Sequence, residues 1–226
     1  QTIASLSMAT GNSITRTTGT SALSVSGAST LGGSVTTSGT QTYTGAVTLG
    51  ADTTLTGTTI TTYGTVSGNY GLTITGAAVF GNGTTDTVIL GGTGKNLSVS
   101  GATTINTDTI TTSGTQTYTG AVTLGADVTL TTSAASTSGN ILFSSTVDSD
   151  GTSRALITTT ASDARTTFSN KVGNGAALKS LSISAGLATI NTDTVKTTGN
   201  QSYTGAVTLS ARSEEHTSEL QSHHDL

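Results

Sequence analysis

Residues 37–52 read TSGTQTYTGAVTLGAD, and residues 112–127 repeat the same sixteen letters without a change. A third copy, TTGNQSYTGAVTLSA, occupies residues 197–211, so the copies start 75 and then 85 residues apart. Sixteen identical residues do not recur by chance, even in a biased composition. The sequence therefore indicates duplication, and self-similarity at a long period is typical of a repeat architecture.

Within this segment, apolar side chains alternate with small or hydroxylated ones. Tyr43, Val47 and Leu49 fall on one side of an extended chain while threonine and alanine fall on the other, which is the period-2 pattern of a half-buried strand. We expect the string TYTGAVTL to form one strand. Similar alternation at Leu97 and Val99, with Gly, Asn, Asp and Ser clusters between such runs, predicts short strands throughout each unit.

The composition supports an almost entirely β chain. It contains 56 Thr and 29 Gly, no Pro, Cys or Trp, and only 9% charged residues. Threonine suits a pleated surface better than a helix, and low charge with recurring β-branched residues argues against disorder. A net charge of -4 offers no basic patch, so we expect no nucleic-acid partner. No apolar run reaches the ~18 residues of a membrane span, so membrane contact is expected only through parts of a parent protein outside this sequence.

Each unit has too few large apolar residues for a core of its own, since the chain holds three Phe and five Tyr. Stacked coils solve this problem because each turn covers the apolar face of its neighbour. We predict one β-solenoid over residues 1–211, with a partial repeat at about 20–52 and full repeats at about 53–127 and 128–211. At ~19 to 25 residues per turn, a repeat holds about three or four turns.

Three further expectations follow from this coil. Rungs ~4.8 Å apart give a rod of roughly 50 Å. Tyr43, Tyr118 and Tyr203 lie several rungs apart and should not stack on one another. The extra residues of the second spacing are expected in loops near residues 133–137 and 148–154, because insertions in solenoids map to loops.

The phrases TTSGTQTYTGAVTLGAD, LSVSGATTINTDTITT and TTFSNKVGNGAALKSLSIS resemble the repeats of large bacterial filamentous haemagglutinin-like and autotransporter-like surface adhesins, over nearly all of residues 20–211. The resemblance implies an all-β, right-handed parallel β-helix in a fragment of a protein secreted to the bacterial cell surface, acting as a stalk or adhesive surface. It implies host-cell or matrix glycans or proteins, or neighbouring cells, as partners. It carries over no binding residue.

From Arg212 the composition changes to RSEEHTSELQSHHDL. Residues 212–222 resemble the translation of a sequencing-library adaptor, so residues 212–226 are expected to be a non-native or disordered tail. The tail also holds a group that can be drawn as a zinc site: His216, His223, His224, Glu215 and Glu219. Its order does not match His-Glu-x-x-His, so no metal site is predicted there.

Without the tail the chain has no His, Cys or Glu, so acid-base or nucleophilic chemistry would depend on Asp, Lys, Ser and Thr. The Asp residues are scattered, and Asp52 and Asp127 are copies of one repeat position. A catalytic site is normally unique, whereas repeated residues serve turns. We therefore predict no enzyme and no catalytic, cofactor-binding or metal-binding residue, with a polysaccharide-acting β-helix enzyme as a minor alternative.

Three other patterns each have a structural and a functional interpretation. Asp148 to Gly151 is similar to the start of a calcium loop but lacks the downstream Glu, so a turn is favoured. Gly91 to Asn96 is similar to a calcium-binding nonapeptide, but it occurs once and has Asn at the acidic position, so a Gly-rich corner is favoured. Thr-x-Thr triplets could form an ice-binding hydroxyl array, but that function needs a triplet in register on nearly every coil, and the irregular offsets argue against it. A pure spacer without a ligand is the remaining alternative to an adhesive surface.

Overall fold

The computed structural model describes residues 1–83, 85–184 and 186–210. These residues form an all-β solenoid of ten coils in which the paired strands are parallel. The all-β solenoid was predicted from the sequence, whereas the three faces, to which each coil contributes extended segments, were not. Tail residues 212–226, with the zinc-like cluster, lie outside the described residues.

Face 1 is formed by six separate strands and by the second halves of two long ones. Its separate strands are Thr2–Ile3, Leu23–Val25, Gln41–Tyr43, Thr103–Ile105, Val122–Leu124 and Val147–Ser149. Single bridges through Val172 and Val195 continue this face in the last two coils. The coils are numbered here by their first residue on face 1: Thr2, Leu23, Gln41, Ile60, Ala78, Thr103, Val122, Val147, Val172 and Val195.

Face 2 is a ten-stranded sheet. Its strands are Leu6–Ser7, Ser29–Leu31, Val47–Leu49, Val66–Gly68, Thr87–Leu90, Thr109–Thr112, Val128–Thr132, Ala155–Thr159, Ser180–Ser184 and Gln201–Tyr203. Face 3 consists of the first halves of the two long strands and of Ser13–Arg16, Ser34–Thr37, Leu97–Val99, Gln116–Tyr118, Ile141–Phe143, Arg165–Phe168, Leu187–Ile190 and Val207–Leu209. Among the described residues the one helical element is a 3-10 turn, Ser136–Gly139.

The two long strands, Thr53–Thr62 and Leu72–Phe80, run from face 3 round a corner to face 1. Their register shifts between Thr75 and Ala77, at Gly76. Gly76 has a φ of 132°, and a Cβ there would lie 1.9 Å from the carbonyl oxygen of Gly57. Only glycine fits this corner, because both the backbone conformation and the close approach exclude a side chain.

The interior is a column of buried side chains contributed by every second residue of the strands. Most are Val, Leu and Ile, and the buried aromatic side chains lie among them. On face 3 the rings of Tyr118, Phe143 and Phe168 stack in successive coils, with centroids 5.3 and 5.0 Å apart. The sequence prediction did not include this stack, since Phe143 and Phe168 lie outside the repeated string.

The duplicated string is two strands and not one, which corrects the sequence prediction. In the first copy Gln41–Tyr43 lies on face 1 and Val47–Leu49 lies on face 2. A corner at Gly45 separates them, and an added Cβ there would come within 2.4 Å of the Gly27 backbone. The alternation of inward and outward side chains was predicted correctly, but periodicity continues smoothly through a corner and so hides it.

The three copies of the string start on three different faces. Gln41–Tyr43 belongs to face 1, Gln116–Tyr118 to face 3 and Gln201–Tyr203 to face 2. Successive copies are separated by eleven strand positions, or three and two-thirds coils, because each coil has three positions. Each duplication therefore turns the repeated sequence by one third of a turn, and the three tyrosines do not stack on one another, as predicted.

The unequal spacings of 75 and 85 residues correspond to the same eleven positions, and the difference lies in the corners. The chain advances by nine positions from Thr132 to Ile141, whereas the equivalent step in the first repeat, from Gly57 to Ile60, is three positions. A second long corner at residues 150–154 falls within the predicted loop 148–154, although Asp148 and Ser149 belong to a strand. A third long corner at residues 160–164 was not predicted. Extra residues at corners leave the register of the strands unchanged.

Candidate functional site

The repeated segment contains a buried hydrogen-bonded corner. In the first copy four alternate residues are buried: Thr37, Gly39, Gln41 and Tyr43. Thr37 Oγ1 donates to the carbonyl oxygen of Gly39 at 2.9 Å, and Gln41 Nε2 donates to that of Val35 at 2.9 Å. Tyr43 Oη donates to Gln41 Oε1 at 2.9 Å. The corner thus satisfies polar groups that burial would otherwise leave without partners.

The other two copies make the same bonds on other faces. Thr112 Oγ1 donates to Gly114 at 2.7 Å, Gln116 Nε2 to Ile110 at 3.2 Å, and Tyr118 Oη to Gln116 Oε1 at 3.0 Å. The third copy repeats the set with Thr197, Gln201 and Tyr203. Burial raises the pKa of the Tyr43 and Tyr118 phenols, so both remain neutral donors. The most strongly repeated residues therefore serve the interior.

A second repeated contact lies on the outside, where an aspartate joins three coils. Asp52 accepts a hydrogen bond from the Gly71 backbone N–H at 2.8 Å, one coil further on. It also accepts one from Lys95 Nζ at 3.0 Å, two coils further on. The Gly71 hydrogen bond, followed by Lys95, lowers the pKa of the Asp52 carboxyl. We call this arrangement of an aspartate, a backbone N–H and a lysine a clasp.

The second clasp is built from the equivalent residues. Asp127 accepts from the Ala155 N–H at 2.9 Å and from Lys179 Nζ at 3.2 Å. The Ala155 hydrogen bond is the main cause of the lowered pKa of Asp127, with Lys179 contributing less. The aspartates that the sequence identified as one repeat position are therefore structural, in line with the prediction that repeated residues serve turns.

The two clasps differ in the residue that precedes the bonded N–H. In the first it is Tyr70, whose exposed ring lies 5.6 Å from Lys95 Nζ. In the second it is Arg154, whose guanidinium donates to Asp150 at 2.9 Å. Tyr70 and the exposed Ile89 border an open groove on face 2, whose other walls are Thr48, Leu49, Ser67, Gly68, Asn69 and Gly91. In the second clasp Arg154 stands at the position of Tyr70, so the aromatic wall of this groove is not repeated there.

The two candidate calcium turns are held by protein groups. Asp148 Oδ1 accepts from the Gly175 and Ala176 N–H groups at 2.8 and 3.2 Å, and Asp150 pairs with Arg154. The Arg154 hydrogen bond lowers the pKa of the Asp150 carboxyl. In the Gly91 to Asn96 stretch, Asn96 Oδ1 accepts from the Thr115 N–H at 2.8 Å, which fits the predicted corner. Within residues 1–83, 85–184 and 186–210, no three His, Cys, Asp or Glu side chains group as metal ligands.

The outward surface is lined with hydroxyl groups, and on face 3 threonine and serine hydroxyls align although the triplets at residues 42–44 and 73–75 lie on different faces. The irregular offsets were expected to put Thr-x-Thr triplets out of register. On face 3, however, Thr54, Thr73, Ser98 and Thr117 pair directly in successive coils. Corners of different length absorb the offsets, so the hydroxyls align. The triplet at residues 107–109 is different, because Thr107 is buried and points inward.

Comparison with known proteins returned no match: no family model, curated protein or solved structure is similar to this chain. Over the part of the chain that the structure describes, no helix is long and apolar enough to cross a membrane. The absence of an enzymatic site stays a prediction.

Proposed function

We propose that this chain is a structural and adhesive segment of a secreted bacterial surface protein, in which the solenoid acts as a stiff stalk that presents a binding surface. The observation that supports the proposal is the continuous stack of ten coils, whose repeated residues form its interior corners. Such stacking makes a quasi-one-dimensional rod whose length grows with each duplication. Duplication of this unit is thus a means of extending a stalk.

The third-of-a-turn rotation changes what the repeats can do for adhesion. Repeated weak sites on one face would add avidity for a repetitive ligand. Here equivalent outward residues, such as Thr48 and Thr123, lie on different faces, about 18 Å apart along the axis. One face regains the same sequence only after three repeats, or about 53 Å. The repeats therefore favour a role in length, and a spacer without a ligand is the second candidate function.

Adhesion in this proposal depends on surface that is not repeated. The groove beside Tyr70 and Ile89 is suited to it, because exposed aromatic and aliphatic side chains there lie next to the Asn69 amide and the Lys95 ammonium. Tyrosine offers a large rigid contact surface at low entropic cost. Host-cell or matrix glycans or proteins, or neighbouring cells, are the proposed partners.

Binding of the full chain to glycan arrays, matrix proteins and cells tests this proposal. We expect saturable binding that Tyr70→Ala weakens severalfold, since the substitution removes the exposed ring. Tyr63→Ala is the matched control, because Tyr63 is also an exposed tyrosine but does not line the groove. Absence of saturable binding by the folded protein would exclude adhesion and leave the spacer.

A further inference from the structure

Face 3 carries two straight columns of outward side chains over coils 3 to 8. The strands of this face pair in register, so one outward position of each coil lies directly above that of the preceding coil. The position two residues further on forms the second column, and backbone hydrogen bonds extend the pairing to it. The first column is Thr54, Thr73, Ser98, Thr117, Leu142 and Thr167. The second is Thr56, Thr75, Ser100, Thr119, Ser144 and Ser169.

Eleven of these twelve side chains are hydroxylated, and the exception is Leu142. The twelve are exposed or half-buried, and none carries a charge. Within the described residues only one of the eleven hydroxyls has a hydrogen-bond partner, Ser100 Oγ, which accepts from the Gly76 N–H at 3.0 Å. The columns therefore present hydroxyl groups that the fold itself hardly uses.

The geometry of the columns is that of a lattice. Rungs are ~4.8 Å apart, and residues two apart along a strand are separated by ~6.6 Å. Threonine is stiff at χ1, so its hydroxyl and methyl groups hold fixed positions on the surface. Side-chain ladders of this kind also favour a flat sheet over a twisted one.

The other two faces are less regular over the same coils. On face 1 the outward column from Thr42 to Thr123 is interrupted by Val79. The next residue of this column, Asp148, is charged. On face 2 the exposed side chains of Ile89 and Ile157 interrupt the hydroxyls. Face 3 is thus the most uniform hydroxyl surface of the described solenoid.

We propose that face 3 of coils 3 to 8 binds ice. A neutral array of two parallel columns gives a single protein or ion no charge to recognise, and its regular repeat along the axis fits a partner that repeats likewise. In ice every oxygen both donates and accepts hydrogen bonds, as hydroxyl groups do. Threonine hydroxyls would bond lattice water while the methyl groups exclude disordered water. This inference does not depend on the adhesive role.

Thermal hysteresis and inhibition of ice recrystallisation by the full chain test the proposal. We expect a measurable hysteresis gap that Thr117→Tyr reduces severalfold, because the bulky ring lifts the middle of the array off a flat crystal plane. Thr104→Tyr is the matched control, since Thr104 occupies an outward position of the same coil on face 1. Tyrosine is well tolerated in strands, and circular dichroism verifies that both variants fold.

Leu142→Thr adds a gain-of-function arm, because it completes the first column and should raise the hysteresis. No hysteresis and no recrystallisation inhibition by the folded protein would overturn the proposal. Equal loss from Thr117→Tyr and Thr104→Tyr would also overturn it, since ice contact would then not be specific to face 3. Binding to crystalline cellulose without any effect on ice would assign the lattice to a polysaccharide surface instead.

Discussion

Residues 37–52 and 112–127 have identical sequences but different surroundings. The first copy turns the corner from face 3 to face 1, and the second turns the corner from face 2 to face 3. Both make the same internal hydrogen bonds among threonine, glycine, glutamine and tyrosine. The segment therefore makes the same corner hydrogen bonds whichever face receives it.

What differs between the copies is the side chain stacked above and below each one. Tyr43 pairs across the rungs with Val25 and Thr62, whereas Tyr118 pairs with Val99 and Phe143. The local bonds are thus a property of the segment, and the stacking is a property of its position. Substitutions at equivalent positions can separate these two contributions.

The largest difference is expected for the buried tyrosines. Tyr43→Ala and Tyr118→Ala should each cost about 3–5 kcal/mol, as truncation of large buried aromatic side chains does. Tyr118→Ala should cost about 0.5–1.5 kcal/mol more, because it also removes the stack on Phe143. Denaturant unfolding of the two variants measures this difference. Equal losses would show that the aromatic stack contributes nothing beyond burial.

A smaller loss of unfolding free energy, equal in the first two copies, is expected when the glutamines are replaced. Gln41→Leu and Gln116→Leu should each cost about 1–3 kcal/mol, because buried carbonyl groups and a tyrosine hydroxyl lose their partner. Gln201→Leu should cost less, since that copy lies in the exposed last coil. Thr44→Val is an outward control in the first copy, expected within about 0.5 kcal/mol of zero. Unequal losses at Gln41 and Gln116 would show that the strength of these hydrogen bonds depends on the face that the corner occupies.

The sequence was sufficient for the fold because the repeat and the period-2 alternation are local signals. Duplication is visible in the letters, and alternation identifies Tyr43, Val47 and Leu49 as inward residues, which they are. The corner at Gly45 could not be predicted, because inward and outward alternation continues across it. Nor could the rotation of the copies, since it depends on how many strands, and not how many residues, each repeat contains.

The outer surface was the least predictable part. The Asp52 clasp joins residues 43 positions apart, and the Asp127 clasp joins residues 52 positions apart, so no local pattern reveals either. The alignment of Thr54 with Thr167 likewise depends on the length of every corner between them, and these lengths are known only from the structure. One signal was present, however: Lys95 and Lys179 precede equivalent Leu-Ser strings, just as Asp52 and Asp127 occupy one repeat position.

The smallest effect is expected at the two clasps, and it depends on pH. The folded pKa of Asp52 lies below its unfolded value, so its stabilising contribution is present above about pH 4 and is lost as the pH falls through the folded pKa. Because the carboxylates of Asp52 and Asp127 are well exposed, Asp52→Asn and Asp127→Asn should each cost at most about 1 kcal/mol.

Each of these losses of stability should vanish in acid, because the wild-type carboxyl is then protonated and is neutral like the asparagine that replaces it. Lys95→Met should cost more than Lys179→Met, because Lys95 is the less exposed lysine and also lies over the Tyr70 ring. Unfolding series at neutral and acidic pH and at two salt concentrations measure both comparisons. A cost of Asp52→Asn that persisted unchanged in acid would show that the geometry of the side chain, and not its charge, stabilises the corner.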